Sequence, residues 1–259
     1  MKKILVPTLI AAAIASLTSV AHAAEPESTL AFNAGVVSDY RYRGISQSRL
    51  QPALQGGVDY TDKSGFYVGA WGSTIKWIKD AGTMAAVSSP DVKGPVEIDL
   101  YGGYKGAVGD LAYDVGFLRY EYAGNKLASV NPAGTYVNAN TNEVYGAVTY
   151  GLFTAKYSHA ISDLFGNVNS KNSSYLDLSA NLDLGDGYTL TPHIGRQLIK
   201  NNPTYSYTDY ALTLGKDLGN GLSASAALVT TNALRTSYTT VENKYTGKGG
   251  LVVGLKYTF

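Results

Sequence analysis

The chain has 259 residues, of which 16% are charged, with 29 Gly and 21 Tyr but no Cys. Removing an N-terminal leader that carries Lys2 and Lys3 takes the basic count from 21 to 19 against 20 acids, a net charge of −1. Near-neutrality excludes the basic excess that nucleic-acid binding needs, and the lack of Cys excludes disulfide scaffolds and thiolate metal sites.

The leader is the first element. Lys2 and Lys3 precede an Ala-rich apolar run from Ile4 to Val20, and Ala21-His22-Ala23 has the small-x-small form of a signal-peptidase site. Residues 1–23 are therefore expected to be a signal peptide, and 24–259 one domain. The run is short for a membrane anchor and is broken by Pro7. After it, no stretch approaches the roughly 20 consecutive apolar residues of a transmembrane helix, and no 3.6-residue apolar period is sustained.

A period of two takes over. Strands are expected near residues 29–39, 51–61, 65–75, 95–105, 111–122, 142–150, 152–161, 174–184, 187–197, 206–217, 221–232 and 249–259. Most are about ten residues long, the length a tilted strand needs to cross the hydrocarbon layer. In 249–259, Leu251, Val253, Leu255, Tyr257 and Phe259 alternate with Gly250, Val252, Gly254, Lys256 and Thr258. Successive strand residues point to opposite faces, so each segment has one apolar and one polar or small face.

Alternate connections are short and rich in turn residues: Asp62-Lys63-Ser64, Val108-Gly109-Asp110, Tyr150-Gly151, Gly185-Asp186-Gly187 and Gly219-Asn220-Gly221. Between them lie longer polar connections near 40–50, 76–94, 123–141, 162–173, 198–205 and 233–248. This sorting is the layout of an outer-membrane barrel with short periplasmic turns, long external loops and both termini periplasmic. The expected fold class is all-β, a transmembrane up-and-down antiparallel β-barrel of about twelve strands.

Aromatics cluster near both ends of the strands. Tyr60, Phe66, Phe153, Tyr188, Tyr257 and Phe259 fall near the short turns. Tyr40, Tyr42, Tyr120, Tyr122, Tyr157, Tyr175, Tyr205 and Tyr207 fall near the long loops. Two membrane-interface belts are expected.

A charge facing lipid at the midplane costs about 2–4 kcal/mol, so the polar face is assigned to the lumen. Asp39, Arg41 and Arg43 at the end of the first strand are expected to line it, as are Glu97, Asp99 and Lys105 in the fourth. Asp114, Glu143, Lys156, Asp177, Asp183, His193, Asp209 and Lys256 join them by phase. Inward Gly35, Gly57, Gly69, Ala112, Gly116, Gly195, Ser223 and Ser225 are expected to leave space, since twelve strands enclose more than the eight that side chains can fill. The resulting lumen reads either as a channel for ions or small solutes, or as a closed structural or adhesive barrel acting through its external loops. Arg41 and Arg43 could meet an anion at the mouth, or could pair with Asp39, snorkel or bind lipid headgroups.

An enzyme is not expected. His22 goes with the leader, Ser158 and His159 fall on opposite faces, and neither His159 nor His193 has an adjacent acid to orient it. No metal-ligand spacing occurs, and no cofactor is expected.

Phe259 in phase with Tyr257, Leu255, Val253 and Leu251 resembles the C-terminal signature that the barrel-assembly machinery reads on bacterial outer-membrane proteins. The segment Phe32-Asn-Ala-Gly-Val-Val-Ser-Asp-Tyr-Arg-Tyr-Arg-Gly-Ile-Ser-Gln-Ser48, followed by Gln51–Tyr60 and Gly65–Ser73, resembles the start of the TorF porin family. Glu97-Ile-Asp-Leu-Tyr-Gly-Gly-Tyr104 and Tyr113-Asp-Val-Gly116 resemble it too. The resemblance implies an outer-membrane barrel of channel function without a defined substrate. The partners implied are outer-membrane lipid, the assembly machinery during biogenesis and small solutes or ions. A homo-oligomer stays open, because a trimer interface is as apolar as a lipid face.

Overall fold

A computed structural model describes residues 28–84, 92–129 and 135–259; the expected signal peptide lies outside the described residues. Strand β1 (Thr29–Val37) leads into a short hairpin of β2 (Arg41–Tyr42) and β3 (Ile45–Ser46). Next come β4 (Ala53–Thr61), β5 (Phe66–Thr74), helix α1 (Trp77–Met84), β6 (Val96–Val108), β7 (Leu111–Tyr122) and β8 (Thr141–Tyr150). The chain continues through β9 (Phe153–Ala160), β10 (Ser174–Ala180), β11 (Leu182–Gly185) and β12 (Tyr188–Leu198). It ends with β13 (Tyr207–Gly219), β14 (Leu222–Thr231) and β15 (Gly250–Thr258).

β10 and β11 are one barrel strand interrupted at Asn181, because both pair with β12 in a single register, Ser179↔His193 and Asp183↔Thr189. Counted this way, the described residues form a closed barrel of 12 antiparallel strands. Closure comes from β1 pairing with β15, from Asn33↔Thr258 to Val37↔Gly254. Phe32 and Phe259 extend that seam with reciprocal backbone N–H···O bonds of 2.8 and 2.9 Å, and their rings stack at 5.8 Å. A barrel without an edge leaves no backbone polar group facing hydrocarbon, which lets strands cross a membrane at all.

The two faces separate as the period of two requires. Leu30, Leu54, Val68, Val115, Val148, Leu178, Leu228 and Leu251 are exposed on the outer face. The inward residues of the same strands are polar, small or aromatic. The antiparallel, neighbour-to-neighbour order places every short turn at one rim and every long connection at the other. Asn220 and Gly221 both adopt positive φ, 52° and 81°, as a tight hairpin turn between two twisted strands demands.

The long-loop half of the barrel carries its own core on the inside. Tyr40, Tyr42, Trp71, Ile78, Leu127, Tyr120 and Tyr122 pack together, and Ile78 and Leu127 are fully buried. Part of the connection expected to be a polar loop at 76–94 is therefore the amphipathic helix α1. Its Ile78 and Gly82 lie one turn apart on one face, and Val92 packs where any larger residue than Gly82 would stand. With a single turn of apolar residues, the periodicity is too short to be recognised as a helix.

Candidate functional site

The first long connection does not rise from the barrel; it folds into it. β1 stops at Val37, and the chain turns inward so that Asp39, Tyr40, Arg41, Tyr42 and Ile45 are all buried. Tyr42 pairs with Ile45 across the two-residue turn Arg43-Gly44, where φ is 47° and 78°. Positive φ at both central positions defines a type I′ turn, for which Gly is suited and Arg is not. Gly44 also sits where a Cβ would lie 2.6 Å from Asp209 Cβ and from Thr231 Cγ2, so the hairpin tip is seated against β13 and β14.

Arg43 is held in its left-handed conformation by what it reaches. Its Nη1 and Nη2 donate to Glu143 Oε1 and Oε2 on β8 at 3.1 and 2.8 Å, and Nη1 also donates to Gln197 Oε1 on β12 at 2.7 Å. The guanidinium lies over the rings of Tyr42 (4.8 Å) and Tyr175 (4.3 Å). The side chains of Arg43 and Glu143 are 5% and 1% exposed, so this is a desolvated, bidentate pair spanning the lumen from the β1 side to the far wall. The hairpin base is fixed separately. Arg41 Nε donates to Asp39 Oδ2 at 2.5 Å, and its Nη1 donates to the carbonyls of Gly44 and Thr246 at 3.0 Å each. Arg49 pairs with Asp80 of α1 and with Glu242 between β14 and β15, joining three loops.

Around the hairpin stand Glu97, Asp99, Glu143 and Asp209, each at most 2% exposed. Tyr40 donates to Glu97 at 2.5 Å and Tyr120 to Glu143 at 3.1 Å, while Asp99 Oδ1 is buried without a hydrogen-bond partner among the described residues. Beside them His193 lies between two carboxylates, Nδ1 3.2 Å from Asp177 Oδ2 and Nε2 2.8 Å from Asp209 Oδ1. No acid neighbours His193 in sequence. The acids come from the strands paired with β12, two residues diagonal to its direct partners Ser179 and Ala211. Nε2 also meets the Tyr175 hydroxyl at 3.2 Å, so the partners of His193 are acids and a phenol rather than a serine nucleophile.

Towards the short-turn rim the lumen changes character. Asp59, Lys105, Asp114, Lys156 and Lys256 face inward and are only partly buried. Tyr101 donates to Asp59 at 2.5 Å and Tyr67 to Asp114 at 2.6 Å. Lys105 lies over the Tyr67 ring at 4.3 Å and Lys156 over the Tyr145 ring at 4.0 Å, so each cation also has an aromatic face beside it.

Of the residues expected inside, Glu97, Asp99, Asp114, Glu143, Lys156, Asp177, His193, Asp209 and Lys256 project inward from their strands, in register with inward neighbours. Asp183 shares the inward face but is exposed at the short-turn rim, where Oδ1 accepts the Gly185 N–H at 2.9 Å. Asp39, Arg41 and Arg43 are not on β1, because the chain leaves the sheet after Val37. Sequence reasoning missed Asp59 and Gln197. Asp59 was legible, since Gln55, Gly57 and Asp59 alternate with Leu54, Val58 and Tyr60.

Two further expectations need correction. The short-turn belt stands: Tyr60, Phe66, Phe153, Tyr188, Tyr257 and Phe259 are all exposed on the outer face. At the other end, Tyr40, Tyr42, Tyr120, Tyr122, Tyr175 and Tyr207 are buried inside the barrel, and only Tyr157 of that group is exposed outside. A tyrosine whose hydroxyl finds a carboxylate and whose ring finds the hairpin gains more inside than at a headgroup interface. Of the inward glycines expected to leave space, Gly69, Gly116 and Gly195 do not widen the lumen. The hydroxyl-bearing ends of Tyr101, Tyr67, Tyr145 and Tyr175 lie against Gly69, Gly103, Gly116 and Gly195, where any side chain would collide with them.

The barrel can be set beside known proteins. No curated protein sequence matches the chain. Among solved structures, the KdgM porin aligns with a TM-score of 0.53 at 8% identity, covering 90% of this chain and 99% of that one. The NanC porin aligns with a TM-score of 0.54 at 10% identity, covering 88% and 99%. A KdgM porin in complex with disordered oligogalacturonate aligns equally, at 0.53 and 9% identity, over 90% and 99%. At such identities the likeness is one of fold, that of an outer-membrane porin. A family model described as "Bacterial protein of unknown function (Gcw_chp)" matches residues 21–259, so the chain belongs to the Gcw_chp family.

Proposed function

We propose that this protein is a porin-like channel of the bacterial outer membrane, passing ions or small solutes by passive diffusion through a lumen narrowed by the β2–β3 hairpin. The observation that carries the reading is the contrast between the two halves of the lumen. The short-turn half is lined by partly accessible charges, Asp59, Lys105, Asp114, Lys156 and Lys256, which suit water and would be wasteful in a packed core. The long-loop half is crossed by the hairpin, which Arg43 latches to Glu143 and Gln197. Inward acids (Asp59, Glu97, Asp99, Asp114, Glu143, Asp177, Asp209) exceed inward bases, which supports a mild preference for cations. The motif Ser38-Asp-Tyr-Arg-Tyr-Arg-Gly-Ile-Ser-Gln47, which forms this hairpin, is also what resembles the TorF porins. In this reading residues 1–23 are the secretion signal, the short turns and both termini are periplasmic, and catalysis is absent.

A closed barrel acting through its loops is favoured by one observation, the apolar core inside the long-loop half with Ile78, Leu127 and Leu164 fully buried. Planar-bilayer recording separates the two. The native protein is expected to give small stepwise conductances, and a variant with 41–48 replaced by a short Gly-Ser link is expected to give conductances several-fold larger. Silence from both proteins, each shown to be folded by its heat-modifiable migration, would leave the closed barrel as the reading.

A further inference from the structure

The lumen wall is uneven. The inward positions of β14, β15 and β1 hold small or neutral residues, among them Ser223, Ser225, Gly254, Asn33 and Gly35. Elsewhere the inward face carries rings: Tyr67, Tyr101, Tyr120, Tyr145 and Tyr175 on β5, β6, β7, β8 and β10. Bulk on one side leaves the free space of a twelve-strand lumen as a groove beside the other. At Gly35 the atoms nearest to where a Cβ would stand all belong to the adjacent β15, whereas tyrosines fill that place at Gly69, Gly116 and Gly195. Lys256 is the inward charge on the groove wall itself, and Asp59 stands at its edge on β4. Lys256 faces Ser223 and Gly35 across its strand pairs, and Asp59 faces Ala31 and Gly69. Neither enters an ion pair among the described residues, and Asp59 accepts the Tyr101 hydroxyl. Beyond Ser223, Asp217 lies at the turn with Oδ1 on the Gly219 N–H at 2.8 Å. The far side is different. Lys105 faces Asp114, Lys156 faces Asp177, and His193 has a carboxylate at each ring nitrogen.

We propose that ions cross the short-turn half along this groove, and that Lys256 on its wall and Asp59 at its edge set their charge selectivity. The inference rests on the channel reading and assigns which residues of that lumen discriminate. An ion in the groove passes beside Lys256, and the low-dielectric wall focuses that charge onto it. Lys105 and Lys156 stand four and five strands round the barrel from β15, on the ring-lined side. Each has an acid directly across, so the far side contributes little net field. Glu97, Asp99, Glu143 and Asp209 are at most 2% exposed, so a passing ion does not reach them. Lys256 and Asp59 oppose one another, which keeps the native preference mild.

The chain has no Cys, so K256C carries a single thiol that can be charged after the barrel has folded. K256C channels in a planar bilayer are treated with a methanethiosulfonate bearing an ammonium, or with one bearing a sulfonate. The KCl gradient is kept near about 0.1 M, where a Debye length of about 10 Å screens the far wall. The ammonium reagent is expected to return the reversal potential to its native value. The sulfonate reagent is expected to raise the cation-to-anion permeability ratio by about threefold or more. D59N should lower the ratio by about twofold. K105C and K156C, treated with the sulfonate reagent, should shift it by less than about half as much as K256C, because they lie farther from the path. S225C, on the same wall as Lys256, should react with a bulky reagent, and its conductance should fall. The proposal is overturned if folded K256C or S225C fails to react, as read by mass. It is also overturned if labelled K256C keeps one reversal potential with both reagents, or if K105C or K156C shifts as far. Silence of folded native protein would instead remove the channel reading, so the two failures are distinct.

Discussion

Arg43 concentrates three unfavourable choices in one residue: a left-handed backbone, a buried charge, and a long side chain held in one conformation. Each is offset by what it touches, the Glu143 carboxylate, the Gln197 amide and two tyrosine faces. The pair is unlike a surface ion pair, because Glu143 at 1% exposure has no water to fall back on. Arg43→Ala is therefore expected to destabilise the barrel by about 3–5 kcal/mol, the cost of stranding a buried partner. Unfolding of refolded protein in urea, followed by gel migration or tryptophan emission, measures it. The double variant R43M/E143L, which leaves no charge unpaired although Gln197 Oε1 and the Tyr120 hydroxyl each lose a partner, should recover part of the loss. Equal destabilisation by both would show that Glu143 is satisfied elsewhere. His193 illustrates the limit of local reading at this scale, since its two acids lie 16 residues away on either side in sequence and beside it only across β10–β12–β13.

Strands and loops trade roles with respect to what sequence pattern predicts. The strands behave as the period of two dictates, and even the break at Asn181 leaves the register of β10 and β11 continuous. The tyrosines do not follow from propensity alone, because four of the inward ones, Tyr67, Tyr101, Tyr145 and Tyr175, are each seated on a glycine of the neighbouring strand. Gly195 is the most constrained, with the Tyr175 hydroxyl and Asp209 Oδ2 both within reach of any Cβ placed there. Gly195→Ala should push Tyr175 off the Asp209–His193 cluster and cost about 1–3 kcal/mol as an overpacked site. A control at Gly109, where a Cβ meets nothing, isolates packing from helix or strand propensity only if its positive φ of 59° is respected, so Gly109→Asn is the suitable comparison. Unchanged stability of G195A in the same urea assay would refute the seating of Tyr175. The loops depart furthest from expectation. They read as polar and solvated, yet they bury Ile78 and Leu127 in one internal core and Leu164 in a second.

At the scale of the whole molecule the seam between β1 and β15 decides whether there is a barrel at all. Phe259 contributes both reciprocal backbone bonds to Phe32 and two ring stacks, with Phe32 at 5.8 Å and Tyr257 at 5.5 Å. Removing Phe259 should lower the yield of assembled barrel in outer-membrane fractions while leaving the conductance of the molecules that do assemble unchanged. Phe259→Tyr, which keeps the stack and the backbone pair, should restore the yield. Loss of single-channel conductance in the assembled fraction would instead tie Phe259 to the lumen. Much of this molecule was determined by its sequence alone. A two-residue period gives each strand an apolar and a polar face, and the alternation of short turns with long loops leaves an up-and-down barrel as the arrangement without exposed edges. Strand positions and inward charges such as Glu97, Asp177 and Lys256 follow from phase, a property of neighbouring residues. What only the tertiary structure decided is the content of the lumen. Whether a connection projects into solvent or folds inward, and whether a tyrosine faces lipid or a carboxylate, depends on partners far away in the chain. Arg43 finds Glu143 a hundred residues later, and no local pattern encodes a contact whose energy comes from burying both groups together.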